Sequence, residues 1–82
     1  MDQTEILLQV NAIFKTVFEN ESIQVGMQTT ADDLEEWDSL NHTAMISAIE
    51  KHFNIRFKLR EMLGFKNVGD MVRTIEAKRQ AV

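Results

Sequence analysis

Trp37-Asp38-Ser39-Leu40-Asn41-His42-Thr43-Ala44-Met45-Ile46-Ser47-Ala48-Ile49-Glu50-Lys51-His52-Phe53-Asn54 is the stretch on which the fold turns. Met45, Ile46, Ile49 and Phe53 fall on one arc of a helix running from Ser39 to Phe53. Asn54 tolerates the left-handed conformation in which helices end. Just upstream lies an acidic loop carrying Asp32, Asp33, Glu35 and Glu36. Ser39 therefore opens the helix, exposed at the positive end of its dipole, and is well placed to carry a phosphoester. As a plain N-cap the same serine would be worth about 1 kcal/mol.

Working outward, the chain predicts helices and no convincing strand. Ile6, Val10, Ile13, Phe14 and Val17 recur at i, i+4, i+7, i+8 and i+11, the stripe of a first helix with Thr4 as its expected N-cap. Leu59, Met62 and Leu63 make a short third helix stopped by Gly64. Asn67, with Asp70 three residues on, caps a fourth whose inner face is Val68, Met71, Val72 and Ile75. A loop of about twenty residues, Glu19 to Asp38, is long for so small a domain unless it is packed down. Ile23, Val25, Met27, Leu34 and Trp37 are spaced as its anchors. The fold class is all-α: a small four-helix bundle of three longer helices and a short third, with a long anchored loop between helices 1 and 2. Residues 1–82 read as a single domain with an ordered core of about 4–78.

Composition narrows the function classes. Eighty-two residues leave no room for two cores. A core this size supplies only about 3–5 kcal/mol, which argues against a large enzyme pocket. The absence of cysteine removes disulfides, thiolate nucleophiles and thiolate metal sites. No positive n-region opens the chain and no apolar run approaches the ~20 residues that span a bilayer, so membrane insertion is not expected and the cytoplasm is the expected address. The net charge of −4 hides an asymmetry: residues 1–50 hold ten acids against Lys15, and residues 51–82 hold eight bases against three acids. An acidic setting around Ser39 argues against nucleic acid. It favours partner enzymes that present positive charge to Glu35, Glu36 and Glu50.

The order of parts resembles the acyl carrier proteins: a helix, a long anchored loop, Asp38-Ser39-Leu40 opening a second helix, a short third helix and a fourth. Trp37 through His42, and Ile49-Glu50-Lys51-His52-Phe53-Asn54-Ile55, look like that family's signature region. Met62, Phe65, Val68, Met71, Val72 and Ile75 fall at its core positions. The likeness covers nearly the whole chain and is strongest from Asp33 to Ile75. It implies that Ser39 is esterified by 4′-phosphopantetheine, donated from coenzyme A by a phosphopantetheinyl transferase, and that the arm's thiol carries acyl groups as thioesters. Asp38 matches the motif's aspartate, read by the transferase and suited to capping the helix. Further partners would be an acyl-loading ligase and an acyl-using synthase or transferase, with the carrier monomeric and itself non-catalytic.

Other residues carry two readings each. Leu40 lies about 100° round the helix from Ser39, either as an ordinary surface leucine or as a docking contact for partners. Met45, Met62 and Met71 come from three helices, either as adaptable core packing or as the wall of an interior that parts to shelter an acyl chain. Asp38, Ser39 and His42 contain the residue types of a hydrolase triad, but no glycine-rich nucleophile turn or oxyanion donors accompany them. His42 and His52 are ten residues apart with no third ligand, which is no metal site. Relative to fatty-acid carriers, the second helix is poor in acids, with Asn41, Ala44 and Lys51 at matching positions, and Arg56-Phe57-Lys58-Leu59-Arg60 is basic. That departure points to a specialised biosynthetic pathway with a dedicated loading enzyme. An aminoacyl or peptidyl carrier would share fold and arm and differ in cargo, and an unmodified helical interaction module would keep the bundle without the arm.

Overall fold

Asp2, rather than the expected Thr4, starts the first helix. Its carboxylate accepts the Glu5 N–H at 2.9 Å, and its extended backbone leads into α1, Gln3–Val17. A carboxylate at the positive end gains from the dipole as well as the hydrogen bond, so it outcompetes a threonine already inside the first turn. The computed structural model describes residues 2–80, of Gln80 only the backbone. Among these, α1 is followed by a 3₁₀ turn at Ala31–Asp33, then α2 (Ser39–Phe53), α3 (Leu59–Leu63) and α4 (Val68–Gln80), with no strand. The four-helix architecture predicted from periodicity is the one observed.

The core forms where the apolar arcs of three helices meet, with α1 packed against both α2 and α4. Ile6, Val10 and Phe14 of α1, Met45 and Ile49 of α2, and Val68, Met71, Val72 and Ile75 of α4 are sealed from solvent. Each such side chain contributes about 1.5–3 kcal/mol before chain entropy is subtracted. Ile13 and Val17, expected on the same stripe, are only partly buried. α3 is different in kind. Met62 alone turns inward, while Leu59 and Leu63 are 69% and 79% exposed. Its place is held from outside the core: Glu61 pairs with Lys78 of α4 at 2.9 Å.

The long loop is pinned as its apolar spacing predicts. Ile23, Val25 and Trp37 are buried, and Met27 and Leu34 pack partly against the core. Backbone ties supplement the anchors. Asn11 of α1 accepts the Val25 N–H at 2.9 Å, and the Thr29 and Met27 carbonyls accept the Val68 and Gly69 N–H groups at 2.9 and 2.7 Å. The loop thereby supplies partners to N–H groups that the start of α4 would otherwise leave unpaired.

Helix ends follow local chemistry. Asn54 adopts φ 57°, and its own N–H and that of Ile55 both reach the Glu50 carbonyl. α1 ends in the same way on a less suitable residue: Glu19 has φ 53°, with Asn20 N–H on the Lys15 carbonyl. A non-glycine residue in that conformation costs about 1 kcal/mol. Asn67 caps α4 through the Asp70 N–H at 2.8 Å.

Gly69 sits inside α4, where alanine would ordinarily be the better helix former by about 1 kcal/mol. A Cβ at this position would lie 2.8 Å from the Met27 carbonyl oxygen. Backbone on both sides cannot yield cheaply, so the clash outweighs the propensity gain. Gly69→Ala is predicted to destabilise the protein by about 1–2 kcal/mol in urea unfolding; an increase in stability would refute the loop–α4 tie.

Candidate functional site

Asp38 decides how Ser39 is presented. The aspartate has the extended backbone of an N-cap, its carboxylate accepts the Asn41 N–H at 2.8 Å, and its carbonyl accepts the His42 N–H at 2.8 Å. Ser39 is therefore not the cap but the first residue of α2, and it is exposed along with Asp38. The N–H groups of Ser39 and Leu40 have no partner among the described residues. Two free donors at the positive end of a fifteen-residue helix suit an anionic phosphodiester on the adjoining hydroxyl.

The segment entering the helix is clamped. Asn41 donates from its side chain to the Glu36 carbonyl at 2.8 Å, and Asn20 donates to the Glu36 carboxylate at 2.7 Å. The Asn20 amide holds that carboxyl below its usual range. Trp37 is buried edge-on to Phe14, with ring centroids 5.2 Å apart, and its indole N–H donates to His42 Nδ1 at 2.7 Å. The His42 ring is thus a neutral tautomer with its proton on Nε2. Burial pushes its pKa below the ordinary 6.5, and a hydrogen bond to the Met62 backbone offsets part of that shift.

A cavity of about 360 Å³ opens beside Ser39. Trp37, Asp38 and His42 form one wall, and Met62, Leu63 and Lys66 form the other. This is space for the first part of a flexible arm, with apolar surface below and one ammonium at the rim. A larger groove of about 530 Å³, floored by Ala12, Ile13, Val17 and Ala48 between α1 and α2, shares no residue with it. The groove lacks both Ser39 and the helix-start donors, and of the two only the smaller cavity adjoins Ser39.

The other residues singled out by the sequence divide by what they touch. Leu40 is 80% exposed beside Ser39. Glu35 is exposed, whereas Glu36 is held by Asn20 and Glu50 accepts the Phe57 N–H at 2.8 Å, an internal task that ties down the loop after α2. Met45 and Met71 are fully buried, and only Met62 borders the cavity. The Trp37–His42 bond and the Leu63–Lys66 wall are features of the site that residue spacing did not reveal. The one available signal was a polar aromatic pair straddling a helix cap. Among the described residues no group of three His, Asp or Glu side chains could hold a metal ion, and no helix is long and apolar enough to cross a membrane.

Residues 9–75 match the protein family described as the phosphopantetheine attachment site. The fold superposes on the solution NMR structure of the holo acyl carrier protein from Geobacter metallireducens with a TM-score of 0.87. The two share 37% sequence identity over 93% of this chain and 87% of that one. No curated protein gives a match.

Burial of the His42 ring makes stability depend on pH. His42 is lowered in the folded state relative to the unfolded chain, so folding favours the neutral ring. Its contribution is complete above about 6.5 and is lost as pH falls below that value towards the folded pKa. The urea midpoint of the wild type is predicted to drop between about pH 7.5 and 5.5, and that of His42→Gln to drop less, because an amide oxygen can accept the indole proton without titrating. Equal slopes for the two proteins would show that the imidazole does not govern this window.

Proposed function

This chain belongs to the phosphopantetheine-attachment family as an acyl carrier protein, and we propose that its attachment point is the Ser39 hydroxyl. The family's covalent cofactor is 4′-phosphopantetheine, its members are carriers rather than catalysts, and they work with a phosphopantetheinyl transferase and with acyl-handling enzymes. When attached, the arm supplies the thiol on which acyl groups ride as thioesters.

One observation carries the assignment: Ser39 is an exposed first helical residue, one position past the Asp38 cap, and its own N–H and that of Leu40 have no partner among the described residues. A phosphodiester there would take those donors and the positive helix end, and the cavity alongside gives the arm a place to lie. Asp38 would serve the transferase through its fixed position, Leu40 and Glu35 as outward-facing docking contacts. The match of residues 9–75 supports reading the whole bundle as one carrier domain. The specialised-pathway reading draws support from Arg56, Lys58 and Arg60, all exposed on a face that would meet basic synthase patches with like charge. For acyl shelter, Met62 at the cavity wall is the candidate gate, with Met45 and Met71 in the core behind.

Incubation with coenzyme A and a broad-specificity phosphopantetheinyl transferase is predicted to add the mass of one phosphopantetheine. Ser39→Ala should remove the addition at unchanged far-ultraviolet circular dichroism. An addition that persists in this variant, at Ser22 or Ser47 for example, would move the site elsewhere.

Loading the modified protein with acyl chains of increasing length reads out shelter separately. The Met62 methyl resonance is predicted to shift first and the Met45 and Met71 methyls only with longer chains. Methyls that stay in place at every length would leave the cargo outside the core.

A further inference from the structure

The side of the Ser39 cavity built by α3 has a character that the carrier role does not itself require. Leu59 and Leu63 stand one turn apart on α3 at 69% and 79% exposure. Around them Arg56, Lys58, Arg60 and Lys66 are all exposed, and none is in an ion pair among the described residues. The neighbouring acids are engaged internally. Glu61 pairs with Lys78 and accepts the Lys58 N–H, Asp70 pairs with Arg73 and accepts the Lys66 N–H, and Glu50 accepts the Phe57 N–H. Residues 56–66 thus present four cations outside any ion pair and two apolar knobs to solvent. Leu63 and Lys66 also line the cavity beside Ser39, so the patch runs up to the attachment point.

We propose that this face is a docking surface for enzymes whose active-site mouth is acidic around an apolar socket. Leu59 and Leu63 enter the socket, and Arg56, Arg60 and Lys66 face its carboxylates. The inference rests on the Ser39 reading, because a partner must receive the arm from that point. Polarity around the serine makes the orientation specific. Asp38 and Ala31 border the cavity on one side, with Asp32, Asp33 and Glu35 in the same exposed loop, while Leu63 and Lys66 border it on the other. A partner aligned on the cationic side therefore meets the acidic loop with a different part of its surface, and a uniformly basic mouth is repelled where α3 stands. A protein suits the patch better than an anionic membrane, since a helix of five residues inserts little apolar surface whereas Leu63 lines the cavity beside Ser39.

The test uses the full chain carrying its arm, labelled with nitrogen-15, and a panel of structurally known acyl-carrier-dependent ligases and transferases with either acidic or basic mouths. Titration with acidic-mouthed enzymes is expected to shift the amides of residues 56–66 first. Affinity should fall roughly tenfold in Arg60→Glu/Lys66→Glu, and also when ionic strength rises from about 0.1 M to 1 M. Leu59→Ser/Leu63→Ser should weaken binding without the salt effect changing; both pairs of side chains are exposed, and retained helicity checks that the variants fold. The proposal is overturned if the charge-reversed variant binds as well as the wild type, if only basic-mouthed enzymes bind, or if no panel member moves these amides. It is also overturned if they respond only to vesicles of equal phosphatidylcholine and phosphatidylglycerol. Failure of the carrier reading has its own signature, because the protein would then gain no mass with coenzyme A and transferase, before any partner is added.

Discussion

The seating of Trp37 is the constraint on which the rest of the site depends. Ordering a loop that runs from Phe18 to Asp38 costs about 1–2 kcal/mol per residue in backbone entropy, and its few buried anchors must offset that cost. Trp37 offers the largest area among them, but its indole N–H cannot be buried unpaired without forfeiting several kcal/mol. His42 Nδ1 resolves the conflict at 2.7 Å. With the indole fixed against Phe14 and its proton delivered to the second turn of α2, the intervening residues have one way to run. Asp38 caps, and Ser39 emerges into solvent two residues after a side chain that is 6% exposed.

That arrangement explains what residue spacing could and could not convey. The bounds of α2, the left-handed Asn54, the Asn67 cap and the loop anchors are local or periodic signals, and each was legible. The start of α1 was not, because Thr4 and Asp2 are both competent caps and the choice depends on electrostatics at the helix end. Glu19 at φ 53° has no propensity signal, since the conformation is imposed by chain direction after α1. The bonds from Met27 and Thr29 to the start of α4 are backbone to backbone across about forty residues and leave no trace in side-chain identity. At the site, Ser39, Asp38 and Leu40 could be read from the motif. The opposite wall of Leu63 and Lys66 depends on how α3 packs, and α3 is held by a single partly buried methionine and an ion pair rather than by an apolar stripe.

Formal charge likewise proved a poor guide to the surface. The first fifty residues hold ten acids, yet Asp2 and Asp38 cap helices, Asp33 accepts the Thr30 N–H, Glu36 is held by Asn20 and Glu50 by the Phe57 N–H. The acids in the second half are engaged in the same way, on Lys78, Arg73 and Gln3. What a partner meets near Ser39 is an exposed acidic loop (Asp32, Asp33, Glu35 and Asp38), and after α2 a patch of exposed cations outside any ion pair among the described residues. Specificity in such a protein resides in which charges the fold leaves over.

The same internal hydrogen bonds bear on the proposed modification of Ser39, because they decide whether the chain itself could activate that hydroxyl. A hydroxyl becomes a competent nucleophile only when a base can take its proton. Its nearest candidates in sequence are His42 and Asp38. His42 Nδ1 already accepts the indole proton, which leaves the ring's own proton on Nε2 and no free lone pair to act as a base. Asp38 commits a carboxylate oxygen to the Asn41 N–H and otherwise faces water. The features that hold Ser39 outward thus also leave its hydroxyl without an internal activator. A carrier built this way is stable towards its own chemistry. On the proposed reading, the base and the donor would both be brought by the transferase, and the surface around Ser39 is where it would have to dock.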